Sequence, residues 1–516
     1  MRIEADLIVY NAKIVTMDPA KPMASALAVK SYKVLAIGSE EEIAELATDA
    51  KRVVDLGGKT VVPGFIDAHT HLTSAGIRSK HVDLMGIKSR AGALEKVRAA
   101  LKNYGPDEWV RGHGWDESLW GEKEYLTAKD LDDISREQPI ALYRIDGHLL
   151  SVNTPGLAKL KFSPEHEGVE RFRGKPTGVL KDMEDVFKQL RAGPEETLEG
   201  VEAGNKIANM HGITAAVDNV SAGYLRQIRV AEREGRLSTR MIVNPPAEQM
   251  KYLIEIGLSS GMGSPLLRIG GVKSYLDGSI GARTAYLSED YSDDKGNKGR
   301  LLIPERTFRR FVRTAVENGI QTVNHAIGDA ALEIVISAFE DIADNTLVRE
   351  QRHRIEHAEM ISEDQIRRAV SLGLILSMQP NFIGEWGLRG GMYYDRLGKE
   401  RVETMHMFRV ALDNGAHICF GSDGMPYGPL YGIWCATDPP FPEMQMTVEE
   451  ALRCYTMESA YSVFMENNIG SLREGKRADL TVLSDNILEI PNSRIKDVTV
   501  DMTIVGGIVE YSALAE

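Results

Sequence analysis

The sequence predicts a mixed α/β fold, in which a (β/α)8 TIM-type barrel carries a small β domain and an insertion. With 516 residues the chain is too long for one ordinary domain, but it suits a large barrel with an appendage. Short β-branched runs joined by tight turns occupy both ends of the chain. Between them, strand-like and helix-like segments alternate, which is typical of a barrel of parallel strands.

The two β-rich ends predict one small domain that is built from both termini. We expect this composite domain to comprise residues 1–60 and 470–516, and the barrel to comprise residues 61–469. The strand-like runs that define the small domain are Asp6–Met17, Ala26–Gly38, Ala478–Asp485 and Val500–Ser512.

Apolar, often β-branched runs of strand length recur through the middle of the chain, with helix-like segments between most of them. Ser362–Gly373, for example, begins with a serine N-cap and ends at a glycine, as helices do. The alternation favours a barrel over a doubly wound open sheet, because no Gly-rich dinucleotide fingerprint follows any run. The runs are Gly64–His69, Ile213–Asn219, Thr239–Asn244, Arg268–Tyr275, Ile320–Ala326, Arg354–Ala358, Leu374–Gln379 and Ile418–Asp423.

The gap between the first two runs is too long for a single helix and predicts an insertion at about residues 73–199. Its segments Glu108–Gly121, Ile140–Asn153 and Arg171–Asp185 are rich in Gly, Trp, His and Arg. This composition suits a cap that faces the substrate better than a plain spacer.

Composition and charge exclude several classes of protein. The formal net charge is −14 and no Lys/Arg block stands out, so a nucleic-acid partner is not expected. The first residues lack the basic head and apolar run of a signal peptide, and no stretch is long and apolar enough to predict a membrane partner. The three cysteines show no paired spacing, which predicts reduced core thiols in a cytoplasmic protein.

The pair His69 and His71 stands at the end of the first run. Residues two apart on a strand face the same side, so both imidazoles can converge on one metal. Two polar residues in a strand-to-loop turn would give the same pattern, and the pair alone does not decide between these interpretations.

The ends of four other runs carry the partners that a metal site needs. Active sites of such barrels lie at the carboxyl ends of the strands, and imidazole and carboxylate suit zinc and similar ions. A buried lysine beside cations can lose its proton and react with CO2 to form a carbamate ligand. The alternative for this lysine is an ion pair with a carboxylate such as Asp277. The four partners are Lys273, His325, His357 and Asp423.

Longer motifs extend this pattern over nearly the whole chain. They are "VVPGFIDAHTHL", "GHGWDESLW", "DGHLLSVN", "GVKSYLDGSIGARTAYL", "VNHAIGDAAL", "RIEHAE", "SMQPNF", "FGSDGMP" and "GSLREGKRADLTVL". With them the chain resembles the amidohydrolase superfamily, and within it the branch of metal-dependent hydrolases similar to N-substituted formamide deformylase. One departure is Lys181, which stands before Asp182 where an acidic residue usually follows the leucine directly. It weakens the expectation of a substrate contact from that loop.

The resemblance implies a metal-dependent barrel with a β-sandwich domain from both termini, and a centre of two divalent metal ions. The more buried metal would be bound by His69, His71 and Asp423, and the second by His325 and His357. The metals are expected to be Zn²⁺, with Mn²⁺ or Fe²⁺ as alternatives, and a homodimer is expected on the same ground.

The resemblance also implies the chemistry of the centre. A carbamate on Lys273 would bridge the two metals, and a metal-bridged hydroxide would hydrolyse an amide or related C–N bond of a small molecule, of the N-acyl or N-formyl amine type. Asp423 would accept the proton of the water and pass it to the leaving nitrogen.

Two other functions are compatible with the pattern. A mononuclear deaminase or decarboxylase of the same superfamily would use one metal, and Lys273 would then be structural. A catalytically inactive regulatory or interaction protein usually lacks ligands, whereas none of the expected ligands is missing here.

Three further residues are candidates for substrate contacts. His148 could reach the site from the insertion, or could be a loop histidine in a hydrogen-bonded turn. Trp115 could form an apolar wall, but a core aromatic would give the same pattern. Gln379 ends the seventh run and could line the pocket.

Overall fold

The computed structural model describes residues 4–47, 50–145, 149–166, 168–181, 183–441 and 444–514. It has the mixed α/β class that the sequence predicts. The chain divides into two compact units, which are described separately: a main unit, Met1–Leu72 with Asn205–Glu516, and an insertion unit, Thr73–Gly204. In the ranges described, no helix combines the length and apolar character needed to cross a membrane.

The first segment of the main unit is almost entirely β structure. Helix α1 spans Glu40–Ala47. Its strands are β1 (Leu7–Tyr10), β2 (Lys13–Val15), β3 (Met23–Ala24), β4 (Ala26–Lys30), β5 (Lys33–Gly38), β6 (Val53–Asp55), β7 (Thr60–Pro63) and β8 (Phe65–Thr70).

The insertion unit contains a mixed sheet of six strands, in the order β13-β14-β12-β11-β10-β9. The strands are β9 (Val82–Asp83), β10 (Val110–Trp115), β11 (Ile140–Arg144), β12 (Leu149–Val152), β13 (Val169–Phe172) and β14 (Lys175–Lys181). The helices of this part of the chain are α2 (Leu72–Arg78), α3 (Arg90–Ala100), α4 (Ala128–Asp132), α5 (Thr154–Lys159), α6 (Glu184–Phe187) and α7 (Pro194–Met210), which continues into the main unit.

The second segment of the main unit alternates strands with helices and then returns to β structure. Its strands are β15 (Ile213–Asn219), β16 (Arg240–Asn244), β17 (Leu267–Ile269), β18 (Val272–Tyr275), β19 (Thr322–Ala326), β20 (Arg354–His357), β21 (Ile375–Met378), β22 (Ile418–Phe420), β23 (Leu480–Leu483), β24 (Val500–Val505) and β25 (Ile508–Ser512). Its helices are α8 (Tyr224–Arg233), α9 (Met250–Glu255), α10 (Glu305–Glu317), α11 (Asp329–Glu340), α12 (Asn345–Glu350), α13 (Glu363–Leu372), α14 (Met392–Leu397), α15 (Lys399–Val402), α16 (Phe408–Asp413), α17 (Pro429–Thr437), α18 (Val448–Cys454) and α19 (Met457–Ser462).

Strands from the two ends of the chain share one sheet, in the order β25-β24-β23-β7-β2-β3, while β5-β4-β1-β6 form a second sheet. The shared sheet is joined where β7 pairs antiparallel with β23, so that Thr60 lies opposite Leu483. Apolar side chains of both sheets, such as Ile14, Leu27 and Ile504, form one buried cluster. Burial of these side chains supplies the main driving force for bringing the termini together.

The remaining strands of the main unit form two parallel sheets, in the orders β17-β16-β15-β8 and β18-β19-β20-β21-β22. Backbone hydrogen bonds join the two sheets at two places. Lys273 N donates to Pro245 O at 2.9 Å, and Asp423 N donates to His69 O at 2.8 Å. Because the strands of both sheets are parallel, their carboxyl ends lie on the same side.

Local sequence signals explain helix α13, whereas the fourth strand differs from its prediction. Helix α13 begins after Ser362, whose side chain accepts a hydrogen bond from Gln365 N, and ends at Gly373 with φ of 72°. The fourth predicted strand, Arg268–Tyr275, is instead divided into β17 and β18. The division falls at Gly270-Gly271, where Gly271 N donates to the side chain of Asn244 at 2.8 Å instead of continuing the ladder.

Candidate active site

The six side chains predicted as metal ligands come together at the carboxyl ends of the parallel strands. One nitrogen or carboxylate oxygen from each of His69, His357 and Asp423 lies within 4.8 Å of the others, among the residues described. Further distances tie the remaining three to this group. They are 3.3 Å from His71 Nε2 to Asp423 Oδ1, 3.3 Å from Lys273 Nζ to His69 Nε2, and 4.4 Å between the ring centroids of His325 and His357.

Two of these residues have an unusual backbone conformation. His357 and Asp423 have φ of 72° and 53°, in the left-handed region that residues with a side chain rarely adopt. Such conformations cost about 1–3 kcal/mol each and are found mainly at functional sites. Here they turn side chains at the ends of β20 and β22 towards the shared centre.

Hydrogen bonds fix which nitrogen of three histidines carries the proton. Because their partners can only accept, the proton lies on Nδ1 of His69, which donates to the carboxylate of Glu356, and on Nδ1 of His71, which donates to Asn219 O at 2.9 Å. His325 donates from Nε2 to Gly278 O at 3.0 Å. The other ring nitrogen of each histidine keeps its lone pair, which is the arrangement that metal-binding histidines need.

Burial sets the charge of the side chains at the centre. It lowers the pKa of His69 and His357 well below the usual value and that of His325 to about 4, so all three are neutral at pH 7. Burial also lowers the pKa of Lys273 to about 8, although Glu356 and Asp423 favour its charged form. The lysine therefore loses its proton far more readily than an exposed lysine does.

Asp423 keeps its negative charge in spite of burial. Burial alone would raise its pKa, but the basic groups around it, His71, His69 and Lys273, outweigh this effect and lower the pKa to about 2. The carboxylate is thus fully ionised at neutral pH.

The donors present at the centre fit divalent metal ions. His357 Nδ1 and Asp423 Oδ1 are buried and have no hydrogen-bond partner within the described parts of the chain. Buried polar atoms without partners are costly, and metal ligation is one way in which they are satisfied. Neutral imidazoles together with an ionised carboxylate are the ligand types that zinc prefers.

Asp277, the carboxylate considered as an ion-pair partner of Lys273, has other partners in the described structure. The Asp277 carboxylate accepts hydrogen bonds from the backbone N–H groups of Tyr286, Ile327 and Gly328, at 2.9–3.1 Å, and no ion pair between it and Lys273 occurs in the structure as described. Its Oδ1 lies 3.5 Å from His325 Nε2. Asp277 therefore helps to hold the His325 end of the site.

Sequence reasoning missed Glu356, which lies beneath the predicted ligands. Besides His69, its carboxylate accepts two hydrogen bonds from the buried guanidinium of Arg354, at 2.8 and 3.1 Å. On a regular strand Glu356 and His357 would face opposite sides. Strand alternation therefore predicts that Glu356 points away from the site of His357. The left-handed backbone at His357 allows both side chains to serve the same site.

Asp67 is a second residue that the sequence analysis did not single out. Its carboxylate accepts from the backbone N–H and the hydroxyl of Ser422, at 3.0 and 2.5 Å, and from the N–H of His69 at 3.2 Å. It thereby ties strand β8 to the residue that precedes Asp423. Asp67 could have been found from the sequence, because it stands two residues before His69 and so lies on the same face of the strand.

The candidates for substrate contacts have different outcomes. His148 lies outside the described residues. Trp115 is fully buried in the core of the insertion unit, where its Nε1 donates to Leu142 O at 3.0 Å and its ring stacks on Trp120, as the core interpretation expected. Gln379 is buried in the main unit, and its Oε1 has no hydrogen-bond partner in the described part of the chain.

The comparisons with known proteins bear on the same residues. A family model described as "Amidohydrolase family" matches residues 52–511, which include all six predicted ligands. The chain belongs to the amidohydrolase family. The resemblance inferred from the motifs is thereby confirmed, and the family indicates a hydrolase.

Relatives of this amidohydrolase align over nearly their whole length. Protein LONG AFTER FAR-RED 3 of Arabidopsis thaliana is 30% identical over 98% of this chain and 91% of its own. N-substituted formamide deformylase of Arthrobacter pascens is 27% identical over 98% of each chain. The crystal structure of an uncharacterized metal-dependent hydrolase from Pyrococcus furiosus matches with a TM-score of 0.80 and 29% identity, over 94% of this chain and 100% of that one.

Proposed function

We propose that this amidohydrolase is a metal-dependent enzyme that cleaves an amide or related C–N bond in a small molecule of the N-acyl or N-formyl amine type. The observation that carries the proposal is the convergence of the six predicted ligands on one point, with lone pairs left free by the hydrogen bonds of His69, His71 and His325. The relative named as a formamide deformylase supports the choice of bond.

The proposal includes the architecture around the site. The two parallel sheets, joined by backbone hydrogen bonds at two places, would form a closed (β/α)8 barrel, with the sheets of the termini as a β-sandwich domain. A barrel of this kind places its active site at the carboxyl ends of the strands, where the six side chains lie.

His69, His71 and Asp423 would hold one divalent ion, and His325 and His357 a second, with a carbamate on Lys273 shared between them. When bound, Zn²⁺ ions, or Mn²⁺ or Fe²⁺ in their place, supply a water of lowered pKa and a Lewis acid for the carbonyl group. The buried, readily deprotonated amine of Lys273 is suited to reaction with CO2.

Asp423 would transfer a proton from the attacking water to the leaving nitrogen. Its carboxylate is ionised and has an oxygen without a hydrogen-bond partner in the described structure, so it can take a proton from the attacking water. It would then donate that proton to the leaving nitrogen, which must be protonated to depart as an amine.

A screen of N-acyl and N-formyl amines, with the protein loaded with Zn²⁺ or Mn²⁺, tests the proposed function. We expect hydrolysis that releases a carboxylate and an amine in equal amounts, and loss of activity after treatment with a chelator. Failure of the metal-loaded protein to hydrolyse any member of the screen would contradict the proposal.

One observation favours a second candidate, a mononuclear deaminase of the same superfamily. His69, His357 and Asp423 already form a complete group of three ligands, which could hold a single ion without Lys273. Metal analysis separates the two functions: two ions per chain and a carbamylated Lys273 support the hydrolase, whereas one ion and release of ammonia support the deaminase.

A further inference from the structure

Tyr275 lies beside the predicted ligands, but none of the roles described above includes it. It follows Lys273 by two residues on β18, so both side chains leave the strand on the same side. The centroid of its ring is 5.0 Å from Lys273 Nζ and 5.4 Å from the ring of His325. Tyr275 therefore lies next to two of the proposed ligands, Lys273 and His325.

The exposure of Tyr275 distinguishes it from its neighbours. It is 42% exposed, whereas Lys273 is 3% exposed. Its hydroxyl makes no hydrogen bond with any part of the chain that the structure describes. Part of the ring is thus accessible from solvent beside the proposed centre, and a phenol usually finds a polar partner when it is covered.

We propose that the Tyr275 hydroxyl is a catalytic hydrogen-bond donor to the carbonyl oxygen of the substrate. The inference rests on the proposed function, in which that oxygen gains negative charge beside His325 and His357 as water attacks. A donor already in place stabilises this charge more in the transition state than in the bound substrate. The phenol keeps its proton throughout, so the step changes no bond of Tyr275.

The test compares the metal-loaded wild type with Tyr275→Phe, which keeps the ring and removes the hydroxyl. Since loss of one such donor typically costs about 10²–10³ in rate, we expect kcat to fall by about that factor, with KM and metal content little changed. Tyr252→Phe is the matched control, because Tyr252 on α9 is 54% exposed and also has a lysine Nζ, of Lys251, 4.8 Å from its ring centroid. It should keep the wild-type kcat.

Binding of a tetrahedral analogue gives a readout that does not depend on turnover. A phosphonamidate carries its negative oxygen where the carbonyl oxygen would lie, so titration calorimetry should show weaker binding to Tyr275→Phe than to wild type, by about 10-fold or more. Wild-type turnover together with unchanged kcat and affinity in Tyr275→Phe would overturn this inference alone. Absence of turnover in the wild type would overturn the proposed function and this inference with it.

Discussion

The Nδ1 atom of His69 donates a hydrogen bond to the carboxylate of Glu356, and both side chains are almost completely buried. The charge of that carboxylate is balanced by Arg354, which also donates to Ala68 O at 2.6 Å and to Ser377 Oγ at 2.9 Å. The pair therefore lies in a hydrogen-bonded network next to the predicted metal ligands. It holds the His69 ring so that only Nε2 can act as a ligand.

The first prediction concerns this pair. Glu356→Gln should weaken metal binding about 10- to 100-fold, because an amide holds the imidazole less firmly and lowers its basicity. Competition with a fluorescent chelator measures the change. Glu458→Gln, which alters a histidine–carboxylate contact at His417, serves as the matched control and should leave metal affinity unchanged. Equal affinities of Glu356→Gln and wild type would show that the network is not needed for ligation.

Asp423→Asn tests the proton transfer. The amide can still offer an oxygen to a metal but cannot take up a proton, so we expect most of the metal to remain bound while kcat falls by about 10²–10⁴. Metal analysis and steady-state kinetics on the same sample check both parts. The exposed Asp413→Asn is the control for the loss of one carboxylate. Turnover near the wild-type level in Asp423→Asn would exclude this residue as the proton carrier.

The sequence could predict that the six proposed ligands lie close together, because each stands near the end of a strand-like run and the strands of a barrel end on one side. His325 and His357 needed only the end of an apolar run to be recognised. Glu356 could not be recognised, since its role depends on the left-handed backbone at the next residue. The division of the fourth strand at Gly270-Gly271 could not be predicted either, because it depends on a hydrogen bond to the side chain of Asn244 from a neighbouring strand.

A buried histidine outside the site predicts how stability depends on pH. His353 accepts a hydrogen bond from Thr322 N at 3.0 Å, and burial lowers its pKa from 6.5 to about 3. The unfolded chain therefore binds a proton below pH 6.5 that the folded chain does not, so the stability present above pH 6.5 is lost as the pH falls towards 3. One such proton changes the free energy of unfolding by about 1.4 kcal/mol per pH unit.

Urea unfolding of wild type and His353→Gln between pH 7 and 5 measures this contribution. The free energy of unfolding of the wild type should approach that of the variant as the pH falls. His166→Gln is the control, since His166 also accepts a backbone hydrogen bond, from Gly168 N, but is exposed. Replacement of this exposed side chain should change the free energy of unfolding at pH 7 by no more than about 0.5 kcal/mol. Parallel curves for wild type and His353→Gln would contradict the assignment.

The last prediction concerns the buried ion pair between Arg240, at the start of β16, and Asp479, just before β23. The two side chains share two hydrogen bonds of 2.7 Å, and Asp479 also accepts from Gly506 N at 2.7 Å. Both are 4% exposed, so Asp479→Asn leaves the Arg240 charge buried without a counter-charge. We expect a loss of about 3–5 kcal/mol in the free energy of unfolding, because an unpaired buried charge is strongly unfavourable.

Chemical denaturation of the metal-free protein compares this variant with two others. Asp497→Asn breaks an exposed pair with Arg494 and should cost less than about 1 kcal/mol, as surface pairs do. The double variant Arg240→Met with Asp479→Leu removes both charges and should recover much of the loss, since well-packed apolar residues can replace a buried pair. A double variant as unstable as Asp479→Asn would mean that the hydrogen bonds to Pro265 O and from Gly506 N, and not the unpaired charge, carry the stability of this junction.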